Sequence, residues 1–479
     1  PATITSGALN YTIPLGEHQY LEDRARERTN IQLPTCTMSC VQASSLTAGC
    51  AAGRPQTRSL ARRAVAVRPP HHAPFSSRGQ MPAVLKGAPR SSQPSAVSCR
   101  SKVVMASLLA CHGGAHLSPS DKAALEEVAE MIAQPGKGIT ACDEGPATIG
   151  SRFEAVGIEN TEENRRAYRQ MLFETDGAAD YLSAAILDPE TLYQRSSTDD
   201  MLFPEKLSAL GIVPGVKPHL KVYALPGQSG STVMQGLDSL AVRCREYKEA
   251  GCKFAKWRSP LEIDVAAGQP SDLVIEANMQ DLARYALICQ DEGLVPIIEP
   301  DISLKGSHDL ETAVAINIKV QATLYKACLD HGVYMEGTVL KSNIVNPGRD
   351  CPIGYSVEEI GKANIDTLRR CMPVAIRTAN FLSGGQSLAD ASARLNAMNQ
   401  VKGNFPVNLS FSWSAALQMP LFELCRGKAS LEECLDEMSE LYLKELKIAS
   451  AAALGKHTPA EGEGDHVPPG VKVEQSVSA

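Results

Sequence analysis

The stretch Glu336-Gly-Thr-Val-Leu-Lys341-Ser-Asn ends an apolar run on a lysine. Placing an ammonium at the end of an apolar strand costs desolvation, so a lysine there calls for a purpose. Working outward from it, short apolar runs recur at intervals that each leave room for one helix. Strands are expected at 138–143, 181–187, 213–217, 254–258, 294–301, 333–341, 373–384 and 408–413. Amphipathic stretches, among them 278–291 and 308–331, lie between them. Parallel strands need a helical crossover, and eight rounds of strand then helix predict a closed (β/α)8 TIM barrel of the α/β class.

Polar residues fall where such a barrel puts its chemistry. Asp143, Lys217, Lys256, Arg258, Glu299, Asp301 and Lys341 stand at the C-terminal ends of five expected strands, and Ser383-Gly384-Gly385 ends the seventh. These ends converge on one mouth, whereas polar groups elsewhere in a strand would face a packed interior. Any one of them read alone is equally well a side chain snorkelling to water. All of them together point to a site.

The net charge of −7 conceals two unlike parts. Residues 1–102 carry 13 Lys/Arg against 4 Asp/Glu, and the remainder 34 against 50. The acidic remainder argues against a nucleic-acid footprint. No run approaches the roughly 20 apolar residues of a membrane span, so none is expected. Between Glu27 and Asp121 there is no acidic residue, while Arg54, Arg58, Arg62, Arg63, Arg68, Arg78, Arg90 and Arg100 are set among Ser, Ala, Pro and Val. That composition fits an organelle transit peptide, with a disordered basic arm as the other reading. Met38-Ser-Cys-Val-Gln-Ala-Ser-Ser resembles a transit-peptide opening, which makes Met38 a candidate true start. The expected organisation is a disordered extension over 1–102, the barrel over 103–459, and a mobile Gly/Glu/Pro-rich tail over 460–479. The 14 cysteines include no Cys-x-x-Cys pair and read as free thiols in a reducing compartment.

Lysine is a nucleophile only when neutral, and burial or a neighbouring cation lowers its pKa from about 10.4. Lys341 on an apolar strand, with Lys256 across the mouth, suits Schiff-base formation with a ketone. Such chemistry needs proton shuttles, and Glu299 and Asp143 are the candidates. These carboxylates read equally as structural partners of Lys256 and Arg258. Ser383-Gly384-Gly385 precedes a helix expected to begin near Ser387, where backbone N–H groups and the helix dipole favour an anion. After a seventh barrel strand, phosphate sites are common. Lys217, Arg258 and Arg152 are the candidates for a second phosphate. Metal catalysis lacks a ligand set, since only His219 supplies an imidazole near the strand ends, and no cofactor is expected.

These residues resemble the class I fructose-1,6-bisphosphate aldolases, and in particular their plastid members, over about residues 117–459. The likeness rests on Pro135-Gly-Lys-Gly-Ile, Glu159-Asn-Thr-Glu-Glu-Asn-Arg-Arg, Phe254-Ala-Lys-Trp-Arg, Val295-Pro-Ile-Ile-Glu-Pro, Glu336-Gly-Thr-Val-Leu-Lys and Phe381-Leu-Ser-Gly-Gly-Gln-Ser. The resemblance implies a metal-free lyase that reversibly splits fructose 1,6-bisphosphate into dihydroxyacetone phosphate and glyceraldehyde 3-phosphate. It implies Lys341 as the Schiff-base lysine, Glu299 as the acid/base for its formation, Asp143 as acceptor of the C4-hydroxyl proton, and Lys256 as a supporting cation. It also implies Ser383, Gly384 and Gly385 at the dihydroxyacetone phosphate end, with Lys217, Arg258 and Arg152 toward the other. A homotetramer in the chloroplast stroma follows from the same likeness, with the reaction serving glycolysis and gluconeogenesis or the Calvin cycle.

Departures from the family pattern are local. Ala415, in Ser412-Trp-Ser-Ala-Ala-Leu-Gln, stands where the family has a phosphate-binding arginine. Gly145 replaces a serine, Lys217-Pro-His-Leu-Lys replaces Lys-Val-Asp-Lys-Gly, Ser342 replaces a proline, and the shorter Asp301 follows Glu299-Pro. The sequence also closes on Ser-Val-Ser-Ala479 where many members carry a tyrosine. They leave open a divergent paralogue with altered sugar-phosphate preference, or a non-catalytic barrel scaffold.

Overall fold

The computed structural model describes residues 113–228 and 230–470. The expectations for 1–102, for Met38 and for 471–479 lie outside the described residues.

Eight parallel strands close into the expected barrel. In chain order they are β1 (Gly138–Cys142), β2 (Leu182–Leu187), β3 (Val213–Val216), β6 (Phe254–Leu261), β7 (Val295–Ile302), β8 (Val339–Asn343), β9 (Thr378–Leu382) and β10 (Asn408–Trp413). The two remaining strands, β4 (Val222–Ala224) and β5 (Thr232–Met234), form a separate antiparallel hairpin after β3. No hairpin was expected there: Val222 and Tyr223 are exposed, so a buried apolar signal is missing.

Side-chain parity along the strands builds the site. One face of each strand joins the core under the helices, including Ala255, Trp257, Ile298, Leu340, Phe381 and Trp413. The other face points into the barrel, and near its lower end it carries Ile139, Ala184, Ile186, Val213, Phe254, Val295, Ile297 and Val339. Two or four residues further along the same faces come Asp143, Asp188, Lys217, Lys256, Glu299 and Lys341. The alternation of two residues thus stacks an ionic layer on an apolar one. The fit is tight: a methyl group added to Gly215 would meet the Phe254 ring at 2.3 Å.

Helix α1 (Pro119–Ile132) closes the lower end. Ser118 and Asp121 cap its start reciprocally. Leu125, Ala129 and Ile132, on one helical stripe, complete the lower apolar cluster.

Helices follow the strands as expected. They include α2 (Pro146–Val156), α3 (Glu162–Glu174), α4 (Phe203–Ala209), α5 (Leu240–Glu249), α6 (Asp272–Asp291), α7 (Leu310–His331), α8 (Val357–Cys371), α9 (Leu388–Val401), α10 (Ala415–Glu423) and α11 (Leu435–Ala453). Side-chain caps set several starts: Ser271 begins α6, Asp309 begins α7 and Ser387 begins α9.

Two strands are shorter than expected, and each has a local reason. Residues before Val339 form a 3-10 turn, Met335–Gly337. The Gln290 amide holds it by donating to the Tyr334 and Gly337 carbonyls at 2.7 and 3.1 Å and accepting from Tyr334 N–H at 2.9 Å. The seventh barrel strand begins at Thr378, after a turn closed by Ile376 N–H on the Pro373 carbonyl. It stops before Gly384, whose φ of 58° leaves the extended region.

The segment read as a mobile tail from 460 is docked through its described part. Tyr355 and His466 exchange backbone hydrogen bonds of 3.1 and 2.8 Å. Arg394 donates to the carbonyls of Gly464 and Asp465, and Asp465 Oδ1 accepts from Val357 N–H at the start of α8. Composition reported few apolar residues and missed these polar anchors. Gly464 is required: its φ is 87°, and a methyl there would press on Val357 and Ala393 at 2.8 and 2.7 Å. All nine cysteines among the described residues are free.

Candidate active site

A cleft of about 370 Å³ opens at the C-terminal ends of the barrel strands. It is lined by all ten expected site residues: Lys341, Glu299, Asp143, Lys256, Arg152, Lys217, Arg258, Ser383, Gly384 and Gly385.

At its floor the ionic layer is a chain. Lys256 Nζ lies 2.9 Å from Asp143 Oδ2 and 2.8 Å from Glu299 Oε2. Glu299 Oε1 is in turn 3.3 Å from Lys341 Nζ. Lys256, Glu299 and Lys341 are each at most 4 % exposed, so these charges act through little water.

The environment drives the two lysines apart. Burial pulls the Lys341 ammonium below the ordinary lysine range; Glu299 opposes this and Lys256 adds to it. Burial also acts on Lys256, but Asp143 and Glu299 outweigh it and hold this lysine charged. For Glu299, burial pushes upward, and Lys256 followed by Lys341 overcome it, leaving the carboxylate below its usual range. Asp143 is likewise resisted by burial yet held well down by Lys256, Lys341 and Lys217. One lysine is thereby eased toward the neutral amine while its neighbour keeps the carboxylates ionised.

Around this floor runs a rim of paired cations. Lys217 donates to Asp188 Oδ2 at 3.0 Å and to the Asp143 carbonyl. Arg258 Nε donates to Asp301 Oδ2 at 2.6 Å. Arg152 Nη2 donates to Glu144 Oε1 at 2.8 Å, and the Ser414 hydroxyl donates to the same oxygen. On the far wall, Gly384 and Gly385 take φ values of 58° and 79°. That pair leads into α9, placing backbone and helix N-terminus at the cleft edge.

Sequence reasoning missed some participants. Asp188 follows Ile186 by two residues on the inward face of β2, so its signal lay in strand parity. Glu144 and Ser414 belong to turns, where no periodicity applies. His219, noted only as a lone imidazole, lines the cleft with both ring nitrogens buried and unpartnered among the described residues. Burial, reinforced by Lys256, holds it neutral, well below the ordinary imidazole range.

The departures also sort by geometry. Gly145 and Ala415 line the cleft, as does Asp301. Ser342 does not: it lies on the outward face of β8, where its hydroxyl accepts from Gln321 at 3.4 Å. Among the described residues no group of three or more His, Cys, Asp or Glu side chains is placed to hold a metal ion. No helix among them is long and apolar enough to cross a membrane.

Comparison with known proteins agrees with this geometry. The family described as "Fructose-bisphosphate aldolase class-I" matches residues 124–470. A fructose-bisphosphate aldolase of Dictyostelium discoideum is 46% identical over 337 residues, covering 70% of this chain and 93% of that protein. The cytosolic fructose-bisphosphate aldolase 4 of Arabidopsis thaliana is 45% identical over 338 residues, covering 70% and 84%. A solved structure of the Plasmodium falciparum fructose-bisphosphate aldolase, in complex with TRAP and a small-molecule inhibitor, superposes with a TM-score of 0.69. It is 39% identical and covers 72% of this chain and 98% of that one. The chain is a member of the class I fructose-bisphosphate aldolase family.

Proposed function

We propose that this aldolase cleaves and forms fructose 1,6-bisphosphate through an imine on Lys341, with Glu299, Asp143 and Lys256 as its acid/base and charge partners. The observation that carries this reading is the buried chain from Lys341 through Glu299 to Lys256 and Asp143, with contacts of 3.3, 2.8 and 2.9 Å.

The neutral Lys341 amine adds to the C2 carbonyl of the ketose, giving a carbinolamine. Glu299, within reach of Lys341 Nζ, relays the proton released from nitrogen to the carbinolamine oxygen, and one further proton, drawn from solvent and given back on hydrolysis, carries the hydroxyl off as water. The resulting iminium is the electron sink. Asp143 removes the proton of the C4 hydroxyl; the C3–C4 bond breaks, its electrons neutralise the iminium as an enamine, and the aldehyde product departs. Protonation at C3 and hydrolysis free dihydroxyacetone phosphate and restore Lys341. Lys256 stays charged and favours the ionised resting forms of Asp143 and Glu299, from which each takes up its proton.

Two phosphates fit the two walls. Ser383, Gly384 and Gly385 face the carbon-1 end, and Lys217, Arg258 and Arg152 the carbon-6 end. The first test is fructose 1,6-bisphosphate cleavage in excess EDTA, with borohydride added and the adduct located by mass spectrometry. Turnover with a label on Lys341 is expected. A folded protein with neither would remove this assignment and favour another sugar phosphate. Bisphosphate binding by calorimetry without turnover would favour the scaffold.

We further propose a plastid destination and a homotetramer. The acid-free, Arg-rich stretch between Glu27 and Asp121 supports the first, and membership of a family whose members are usually tetrameric supports the second. The name of the Arabidopsis relative above places that protein in the cytosol. A fluorescent fusion of residues 1–112 that stays cytosolic in plant cells would end the plastid reading. Light scattering giving one chain mass would end the tetramer.

A further inference from the structure

The charge on the cleft wall is balanced before any substrate arrives. Its five cations, Arg152, Lys217, Lys256, Arg258 and Lys341, are matched by five carboxylates, Glu144, Asp188, Asp143, Asp301 and Glu299. A sugar bisphosphate brings several negative charges into this neutral site. At the Gly384–Gly385 turn, moreover, the described residues that line the cleft, Leu382, Ser383 and the two glycines, are neutral, and Ala415 elsewhere on the wall adds no charge.

Among the described residues, a cation without a partner stands at that turn. A methyl added to Gly385 would lie 3.7 Å from Nη2 of Arg349. Arg349 is exposed, and its guanidinium makes no hydrogen bond or ion pair among the described residues. Its backbone, by contrast, is held in place. Arg349 N–H donates to the Leu304 carbonyl at 2.7 Å, flanked by Gly348 to His308 at 2.8 Å and Asp350 to Gly306 at 2.9 Å. Only a glycine at 348 permits this approach, since a methyl there would strike the Gly306 carbonyl oxygen at 2.3 Å. The loop after β7 sends Leu304 to within 3.7 Å of a methyl position on Gly384. The loop after β8 and the loop after β7 are therefore tied together beside the turn, with a guanidinium fork projecting toward it.

We infer that Arg349 is a specificity-determining residue that binds the phosphate on the carbon next to the imine carbon of the ketose. The connectivity chooses that phosphate. Lys341 is on β8, and the Ser383–Gly385 turn follows β9, its hydrogen-bonded neighbour, with Asn343 paired to Leu382. A phosphate one carbon from the imine reaches the adjacent strand end rather than the opposite wall. An arginine fork supplies two parallel donors and a charge that the wall lacks.

This inference rests on the imine reading, and its test separates the two. Full-length wild type, Arg349→Ala and Arg349→Lys are titrated with dihydroxyacetone phosphate and, separately, with unphosphorylated dihydroxyacetone, and the imine is trapped with borohydride. Arg349→Ala is expected to raise the half-saturating concentration of the phosphorylated ketone about tenfold, leave that of dihydroxyacetone unchanged, and be partly rescued by Arg349→Lys. An equal shift for both ketones makes Arg349 merely structural, and no shift leaves it outside the site; either overturns the assignment while the imine stands. A wild type that traps neither ketone removes the imine and this assignment with it.

Discussion

The lower and upper halves of the barrel interior are made by the same strands and obey opposite rules. Below, Ile139, Val213, Phe254, Ile297 and Val339 exclude water and pack in one apolar cluster. Each such side chain contributes roughly 1.5–3 kcal/mol of burial free energy. Above, Asp143, Lys256, Glu299 and Lys341 bury four ionisable groups whose desolvation their mutual attraction offsets only in part. The apolar layer supports the fold, and it thereby allows an ionic layer that the fold itself does not need.

The sharpest way to break this contrast is Lys341→Met. It should lower turnover about a thousandfold or more and abolish borohydride labelling. Thermal unfolding should stay level or rise, because Glu299 keeps Lys256 as its partner. A large loss of stability would place Lys341 in the supporting framework and blur the two layers. Phe254→Ala, two residues before Lys256 on the same strand, should do the reverse. It is expected to cost about 3–5 kcal/mol in urea unfolding, and Gly215 offers no side chain to fill the void.

Replacing Lys256 by Met probes coupling within the ionic layer. Lys256 lowers the Lys341 pKa and shares Glu299 with it. Its removal therefore acts twice in one direction, and the pH at which imine trapping is half-maximal should move upward. An unmoved midpoint would mean that burial alone sets the state of Lys341. The smallest effect is expected outside both layers, at Glu445 on α11. Burial, opposed by Lys444, raises this carboxyl from 4.5 to about 8. Its folded pKa lies above its unfolded one, so its stability contribution is whole below about 4.5 and falls as pH rises to 8. Glu445→Gln should match wild type in melting temperature near pH 4, gain a few degrees by pH 8, and change no further above it.

Much of this was legible because a strand declares itself through consecutive apolar residues, and a polar residue that ends one is conspicuous. Lys341, Glu299, Lys256 and Asp143 all announced themselves that way, and the motifs around them carried the family resemblance. Less was legible where a contact joins residues far apart in the chain. Gln290 shortens β8 from 44 residues away, and Arg394 anchors Gly464 from 70. Neither pairing has a periodicity to reveal it.

The sequence by itself determined the eight-fold alternation, the closed barrel and the lysine on its sixth strand, because side-chain parity and apolar runs are local properties. Only the tertiary structure decided which charges are paired, which lysine is eased toward neutrality, and that Arg349 stands beside Gly385 without a carboxylate among the described residues. Charge pairing falls off over ångströms in space, and the chain order records no such distances.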